Sequence, residues 1–237
     1  MKLRTNLRRF YILALLILGS PNTYSLIIGA GAVILGQLIH FFSAGYLVKR
    51  DELITAGPYR FVRHPFYLAS FIWDAGFSLM ALNPYVPLIY FPLFYLVVIP
   101  RRVGMEEDFL LSKFGPEYEE YRERVPRYLP SWRTHLLGSQ GRFSWSQIHE
   151  KREINRVIHT LALIILFHFR AETLKYGNSI TGYLSNPMSL FSLGLVACLY
   201  TFSVILRWRN KTRRALHAHN PRKGIVEAGR GLNENRQ

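Results

Sequence analysis

Charged residues are confined to short blocks, and the stretches between them are apolar throughout. From Phe10 to Val48 there are 39 residues with no Asp, Glu, Lys or Arg, and from Pro65 to Pro100 there are 36, interrupted only by Asp74. Val157 to Phe169 adds 13 and Tyr176 to Leu206 adds 31. A helix on a water-soluble domain carries one apolar stripe on a polar background, and these runs have no polar side. About 20 apolar residues cross a bilayer core. The first two runs are about twice that length, and each has a breaker near its middle, Ser20-Pro21-Asn22 and Asn83-Pro84. Each therefore predicts a helical hairpin that crosses and returns. The pattern as a whole predicts an all-α, polytopic transmembrane helix bundle with spans over 5–20, 24–48, 65–82, 85–100, 155–171 and 185–206. The fifth rests on the shortest uncharged run, the 13 residues between Arg156 and Arg170. Its length also fits a buried or interfacial helix, although long arginine stems can extend a short span to the interface.

Charge gives these spans a direction. The chain of 237 residues carries 30 Lys+Arg against 15 Asp+Glu, a net charge of +15. With the N-terminus inside, 28 of the 30 basic residues fall in inner segments, leaving only Arg170 and Lys175 outside. Cytoplasmic loops collect Lys and Arg in this way, so the expected placement is integral and multi-pass with both termini cytoplasmic. The excess charge then reads as topology and attraction to anionic headgroups, not as a nucleic-acid surface. The single cysteine, Cys198, excludes a disulfide framework. The apolar content excludes disorder for most of the chain. No small-residue cleavage site follows the first apolar run, so a removed signal peptide is not expected. No metal-ligand spacing occurs, since His159 and His168 stand too far apart to form a local pair. Gly29, Gly31 and Gly36 lie inside an apolar run with no preceding strand, which reads as close helix packing and not as a nucleotide loop.

Three stretches depart from a plain bundle. In the first, Gly57-Pro58-Tyr59-Arg60-Phe61-Val62-Arg63-His64-Pro65-Phe66-Tyr67, a loop over 51–63 turns at Gly57-Pro58 and enters the third span. Pro65 suits the first helical position, which puts His64 at the cap and Tyr67 in the first turn. The free N–H groups there favour a carboxylate or phosphate. The second stretch, Arg101-Arg102-Val103-Gly104-Met105-Glu106-Glu107-Asp108, puts Arg102 and Glu106 four apart on one helix face. That pair is either a surface ion pair or a grip for a zwitterion or for two ligands side by side. The third runs from Phe114 to Pro130 and predicts a cytoplasmic interfacial helix, with Tyr118, Tyr121 and Val125 along one side. Asp74 sits about 13 Å past Pro65 at 1.5 Å per residue. An intramembrane carboxylate is a functional candidate, and a structural bond to Gln37 or His40 is the alternative.

Taken together, the stretch 57–67, Glu106-Glu107, Phe114-Gly115-Pro116-Glu117-Tyr118 and Val125-Pro126-Arg127 resemble the isoprenylcysteine carboxyl methyltransferases, with much of the pattern shared by phospholipid methyltransferases. The resemblance spans about residues 24–130. It implies a helical membrane enzyme that binds S-adenosyl-L-methionine at the cytoplasmic face and takes a lipid acceptor from the bilayer. It further implies that Asp51, Glu52, Leu53 and Ile54 lie along the cofactor, and that Tyr59, His64, Pro65, Phe66 and Tyr67 form its main pocket. By the same resemblance Glu106 meets the cofactor's ammonium and Arg102 contacts the acceptor, which makes Arg102 and Glu106 the catalytic pair. The family pattern stops before residues 131–237, where two further apolar segments and a basic tail form a C-terminal extension to a core over 1–130. Leu68-Ala69 after Tyr67 is a mild departure from the small residue common there.

The residue chemistry is compatible with this. Aromatic faces suit a sulfonium, a Glu suits an ammonium, and a helix N-terminus or Arg suits a carboxylate. A carboxylate acceptor is already ionised and needs only aiming by Arg102. A lipid amine would need a base, for which Glu107 or His64 are candidates. Three other readings stay open: a phospholipid N-methyltransferase, an NADPH-dependent reductase of the sterol type (those enzymes carry a similar Arg-His-Pro-x-Tyr segment), and a non-enzymatic membrane scaffold.

Overall fold

The computed structural model describes residues 2–47, 52–132, 141–150, 153–175, 181, 185 and 187–218. Among the described residues the chain is helical, with no strand. Helix α1 (Lys2–Leu18) is followed by α2 (Thr23–Tyr46), and α3 (Pro65–Ala81) by α4 (Tyr85–Phe91), with α1 packed against α3 and α4. A π-helical stretch, Pro92–Val98, continues α4 into α5 (Ile99–Phe114), and α6 (Pro116–Arg124) follows. Beyond these come α7 (Trp145–Glu150), α8 (Glu153–Lys175) and α9 (Pro187–Ala218).

Both predicted breakers end helices. After α1, Asn22 caps α2 by accepting the Ser25 N–H, while Ser25 Oγ accepts the Asn22 N–H, each at 2.9 Å. At the second break Leu82 turns left-handed (φ 49°), and Asn83 Oδ1 accepts the N–H groups of Tyr85 and Val86.

Among the described residues three helices are long and apolar enough to cross a membrane: Thr23–Tyr46, the continuous Tyr85–Phe114, and Glu153–Lys175. The third corrects the expectation of a short fifth span. The helix runs well past Arg156 and Arg170 to reach 23 residues. α1 and α3 have 17 residues each, and the apolar part of α9 is Leu190–Leu206.

The bundle is centred on α2 against α3, which approach at glycines. A Cβ on Gly36 would lie 2.8 Å from the Ala69 carbonyl and the Trp73 nitrogen, and one on Gly76 would lie 2.7 Å from Val33. Gly29 meets Met80 and Gly76 in the same seam, whereas Gly31 faces open space. Small residues thus serve packing, as helix pairs in an apolar medium require. α8 joins this seam through polar contacts: Trp73 Nε1 donates to Thr160 Oγ1 (3.2 Å), which donates to Gln37 Oε1 (3.0 Å).

Asp74 is fully buried, and its partners differ from those predicted. Arg8 Nη2 donates to Oδ2 at 2.9 Å, as do the Tyr90 and Tyr95 hydroxyls at 3.0 and 2.5 Å. Tyr11 donates to its carbonyl. Gln37 and His40 are engaged elsewhere, with Thr160 and Glu153. The π stretch accounts for the tyrosine pair. Residues five apart on a 3.6-residue helix point about 140° apart. The wider i→i+5 turn brings Tyr95 round toward the side of Tyr90.

Gly36→Val places a branched side chain against the α3 backbone. The expected loss is at least 1–3 kcal/mol, read as a lowered unfolding temperature in detergent, while Gly31→Val should be neutral.

Candidate functional site

The site is built where the loop after α2 meets the start of α3 and the helix below α4. Residues Leu53, Ile54, Ala56, Tyr59 and Val62 turn inward and are buried, so this loop packs as a core element. Gly57 opens a short 3₁₀ turn, Gly57–Arg60, at φ +59°, where a Cβ would strike the Tyr46 ring. The predicted cap holds: His64 is the N-cap of α3 and Pro65 is its first residue.

The segment around α6 fastens this loop. Leu53 packs with Tyr118, Tyr121 and Val125. The Tyr121 hydroxyl donates to the Tyr59 carbonyl (2.7 Å), the Arg63 N–H to Pro126 O and the Ser131 N–H to Phe61 O (both 2.9 Å). The side of α6 that was expected to lie on headgroups is therefore spent on the protein's own loop. Of the charged pairs on the helix, Glu120–Arg124 forms at 2.5 Å between exposed side chains.

Glu107 ties the pieces together. It is buried, and its Oε1 accepts from Arg63 Nη1 (2.7 Å), His64 Nε2 (3.0 Å) and Arg127 Nε (3.1 Å), while Oε2 accepts from Arg127 Nη2. One carboxylate thus joins the loop, the α3 cap, α5 and the segment after α6. With its acceptor sites taken by two guanidiniums and an imidazole, Glu107 is no longer available as the general base considered for an amine. The Nε2 donor also fixes the His64 tautomer, leaving Nδ1 on the Glu106 side, 3.9 Å from that carboxylate. Burial pushes the His64 pKa below its ordinary value of 6.5, against the pull of Glu107.

Glu106, one residue earlier, has the opposite environment. About 43% of its side chain is exposed, toward a cavity of about 700 Å³. The Tyr67 hydroxyl donates to its Oε1 (2.9 Å), and Arg102 Nε lies 3.6 Å from the same oxygen. The cavity is lined by every described residue among those the resemblance implied. Glu52, Leu53, Ile54 and Tyr59 come from the loop, His64, Pro65, Phe66 and Tyr67 from the α3 start, and Arg102 and Glu106 from α5. Asp51 lies outside the described residues. Its size falls within the range of about 300–1,000 Å³ usual for small-molecule sites.

Other cavity residues had no signal in the sequence. Arg4 and Arg8 reach it from α1, and Gln147 and Arg156 from the C-terminal extension. The Arg63–Glu107–Arg127 clamp joins residues 44 and 20 positions apart, beyond any local periodicity. Among the described residues no group of His, Cys, Asp and Glu could hold a metal ion.

A helical membrane protein with an aromatic and ionic cavity below its third and fourth apolar helices is the class these features define. The model of the isoprenylcysteine carboxyl methyltransferase (ICMT) family matches residues 12–112. The protein-S-isoprenylcysteine O-methyltransferase of Schizosaccharomyces pombe is 38% identical over 95 residues, 40% of each chain. Protein-S-isoprenylcysteine O-methyltransferase B of Arabidopsis thaliana is 34% identical over 114 residues, 43% of this chain and 57% of the relative. The Homo sapiens protein-S-isoprenylcysteine O-methyltransferase is 32% identical over 120 residues, 46% of this chain and 42% of the relative. The chain thus spans about half the length of the curated relatives it matches. No solved structure matches.

The depressed His64 pKa makes stability depend on pH. A histidine held neutral by the fold contributes stability that is complete above its unfolded value near 6.5. That contribution is lost as pH falls through the lower folded value. The unfolding temperature should therefore drop between pH 7.5 and about 5.5, and His64→Gln should remove part of that drop. An unchanged slope in the variant would show that His64 is not the group titrating.

Proposed function

We propose that this protein is a membrane methyltransferase that uses S-adenosyl-L-methionine and methylates the carboxylate of an isoprenylcysteine-like or other lipid-like acceptor at the cytoplasmic face. The observation that carries the reading is the convergence of Tyr67, Glu106 and Arg102 in one cavity, together with the family match. Glu106 offers an exposed carboxylate for the donor's ammonium. Tyr59, Phe66 and Tyr67 offer ring faces for its sulfonium. Leu53 and Ile54 offer an apolar wall and Glu52 a polar one, with Asp51 next to it in sequence.

When bound, the donor supplies an electrophilic methyl group. What the chain contributes is placement. Arg102 aims the acceptor carboxylate, the His64–Pro65 cap presents the α3 N-terminus, and the packed loop keeps water out. Holding acceptor and methyl in line can supply roughly 7–11 kcal/mol of a displacement barrier. A carboxylate acceptor needs no base. An amine acceptor would need one, and with Glu107 engaged only His64 Nδ1 is left, so the carboxylate reading is favoured over phospholipid N-methylation.

The same reading extends to the membrane. α1, α3 and α9 complete six crossings with the three longer helices, both termini lie in the cytoplasm, and α6 sits at the inner surface. Residues 1–130 form the methyltransferase core, and 131–237 form an extension that closes one side of the cavity.

Titration of the purified protein separates the rival classes. S-Adenosylmethionine should bind and NADPH should not, and Glu106→Gln should weaken donor binding about tenfold, the order expected for a lost charged hydrogen bond. Incubation with radiolabelled donor and membrane extract should give alkali-labile label, which Arg102→Ala abolishes. NADPH binding alone would establish the reductase reading, and alkali-stable label would establish an amine or carbon acceptor.

A further inference from the structure

Arginines other than Arg102 line the same cavity. Arg4 and Arg8 reach it from α1, and Arg156 from the start of α8. All three lie outside the family-matched segment 12–112. Arg4 and Arg8 are near enough to bear electrostatically on Arg156. Three guanidiniums on one cavity wall repel one another, and an anion bound among them relieves that repulsion.

The fixed anions nearby do not fully offset them. Arg8 pairs with Asp74 at 2.9 Å through Nη2 alone, and its buried Nε has no hydrogen-bond partner. Arg156 reaches Glu153 at 3.4 Å through Nε, and Glu153 also accepts from His40 Nδ1 at 2.9 Å. The cavity lining as a whole sets Arg4, Arg8, Arg63, Arg102, Lys113 and Arg156 against Glu52 and Glu106. Arg102 and Glu106 pair with each other on α5. The wall is otherwise suited to a lipid: Leu47, Phe66 and Pro65 line the same space. A guanidinium presents paired N–H donors that match phosphate and carboxylate oxygens.

We propose that Arg4, Arg8 and Arg156 form a second, anionic-head subsite, so that the lipid acceptor carries a phosphate or carboxylate besides the group that receives the methyl. This rests on the reading that the cavity takes a lipid acceptor. It assigns the C-terminal extension a role: Gln147 and Arg156 place it in the wall that selects the acceptor's head. The extension is held there by its own contacts, the Ser144 N–H on Gly45 O (2.9 Å) and His40 on Glu153.

The test is calorimetric binding of three single-chain probes in neutral detergent: dodecyl phosphate, dodecanoate and uncharged dodecyl glycerol. Arg8→Gln strips Asp74 of its partner and is not used. Arg4→Gln and Arg156→Gln are made singly and together, with Arg102→Gln as the comparison. The expected result is that at least one anionic probe binds about tenfold or more tightly than the neutral one. The double variant should lose that margin, Arg102→Gln should keep it, and donor binding should be unchanged in the double variant. Preference for phosphate alone identifies a phospholipid-type head, and equal preference for dodecanoate identifies a simple acidic head. Equal binding of all three probes overturns the proposal. So does a margin lost in Arg102→Gln but kept in the double variant, or competition between anionic probe and S-adenosylmethionine, which would make the trio the donor's own carboxylate site. Failure of the donor to bind, with the probe margin intact, would instead remove the methyltransferase reading and leave the anion subsite standing.

Discussion

A single buried carboxylate, Glu107, is the interaction on which the site's shape depends. It receives Arg63 from the loop, His64 from the α3 cap and Arg127 from beyond α6. The loop and the α6 segment are also joined by the cluster around Leu53 and by backbone bonds to Pro126 and Phe61, and Glu107 adds the α3 cap and α5 to that assembly. Breaking a buried pair by removing one partner costs about 3–5 kcal/mol, because a charge is left without compensation. Here the penalty would fall on Arg63, which is 10% exposed, while Arg127 at 45% is open to solvent. The clamp is therefore both the reason these segments stay folded under the membrane helices and the reason the cavity keeps its outline.

Glu106 and Glu107 illustrate how one helix separates structure from chemistry. Successive residues on an α-helix diverge by about 100°, so neighbouring identical side chains meet different surroundings. Glu107 points into the clamp and is 6% exposed, while Glu106 points into the cavity and is 43% exposed. Tyr67 and Arg102 contact Glu106 without enclosing it, and that leaves lone pairs for a cationic group. The two-glutamate sequence is a hinge between a wall and an opening.

Much of the fold was legible because apolar length and breakers act locally. Pro21-Asn22, Asn83-Pro84 and Pro65 stand where helices stop or begin, and Gly29 and Gly36 read correctly as packing positions. The fifth apolar helix was underestimated, since arginines at its flanks were counted as its limits, whereas the helix runs beyond both with its charges at the rims or paired. Candidate residues on the loop and on α5 line one cavity as the resemblance implied, and Pro65 and the Arg102–Glu106 register are local facts. The clamp, the Asp74 partners and the additional arginines of the cavity were not legible. They join elements through contacts 16 to 113 positions apart, and sequence periodicity carries no information at that range. The apolar side of α6 was misassigned for the same reason: a helix face that fits a headgroup layer fits a buried leucine, here Leu53, equally well.

The Arg8–Asp74 pair explains how the basic end of the cavity can exist at all. An isolated arginine within the hydrocarbon depth is costly, and an isolated aspartate equally so. Paired, and with Tyr90, Tyr95 and Tyr11 supplying hydroxyls, the two ions hold α1 against α3 and the π stretch. The aspartate's Oδ2 takes three donors, so Arg8 is anchored from behind and its remaining surface is turned toward the cavity and the rings of Trp73 and Phe94, at 5.6 and 5.4 Å. A guanidinium fixed on one side by a buried anion and sheathed by aromatics cannot move away from a second anion or collapse onto it. It can only present a stationary charge. The same pair that holds the first helix in the bundle therefore also fixes Arg8 in the cavity wall.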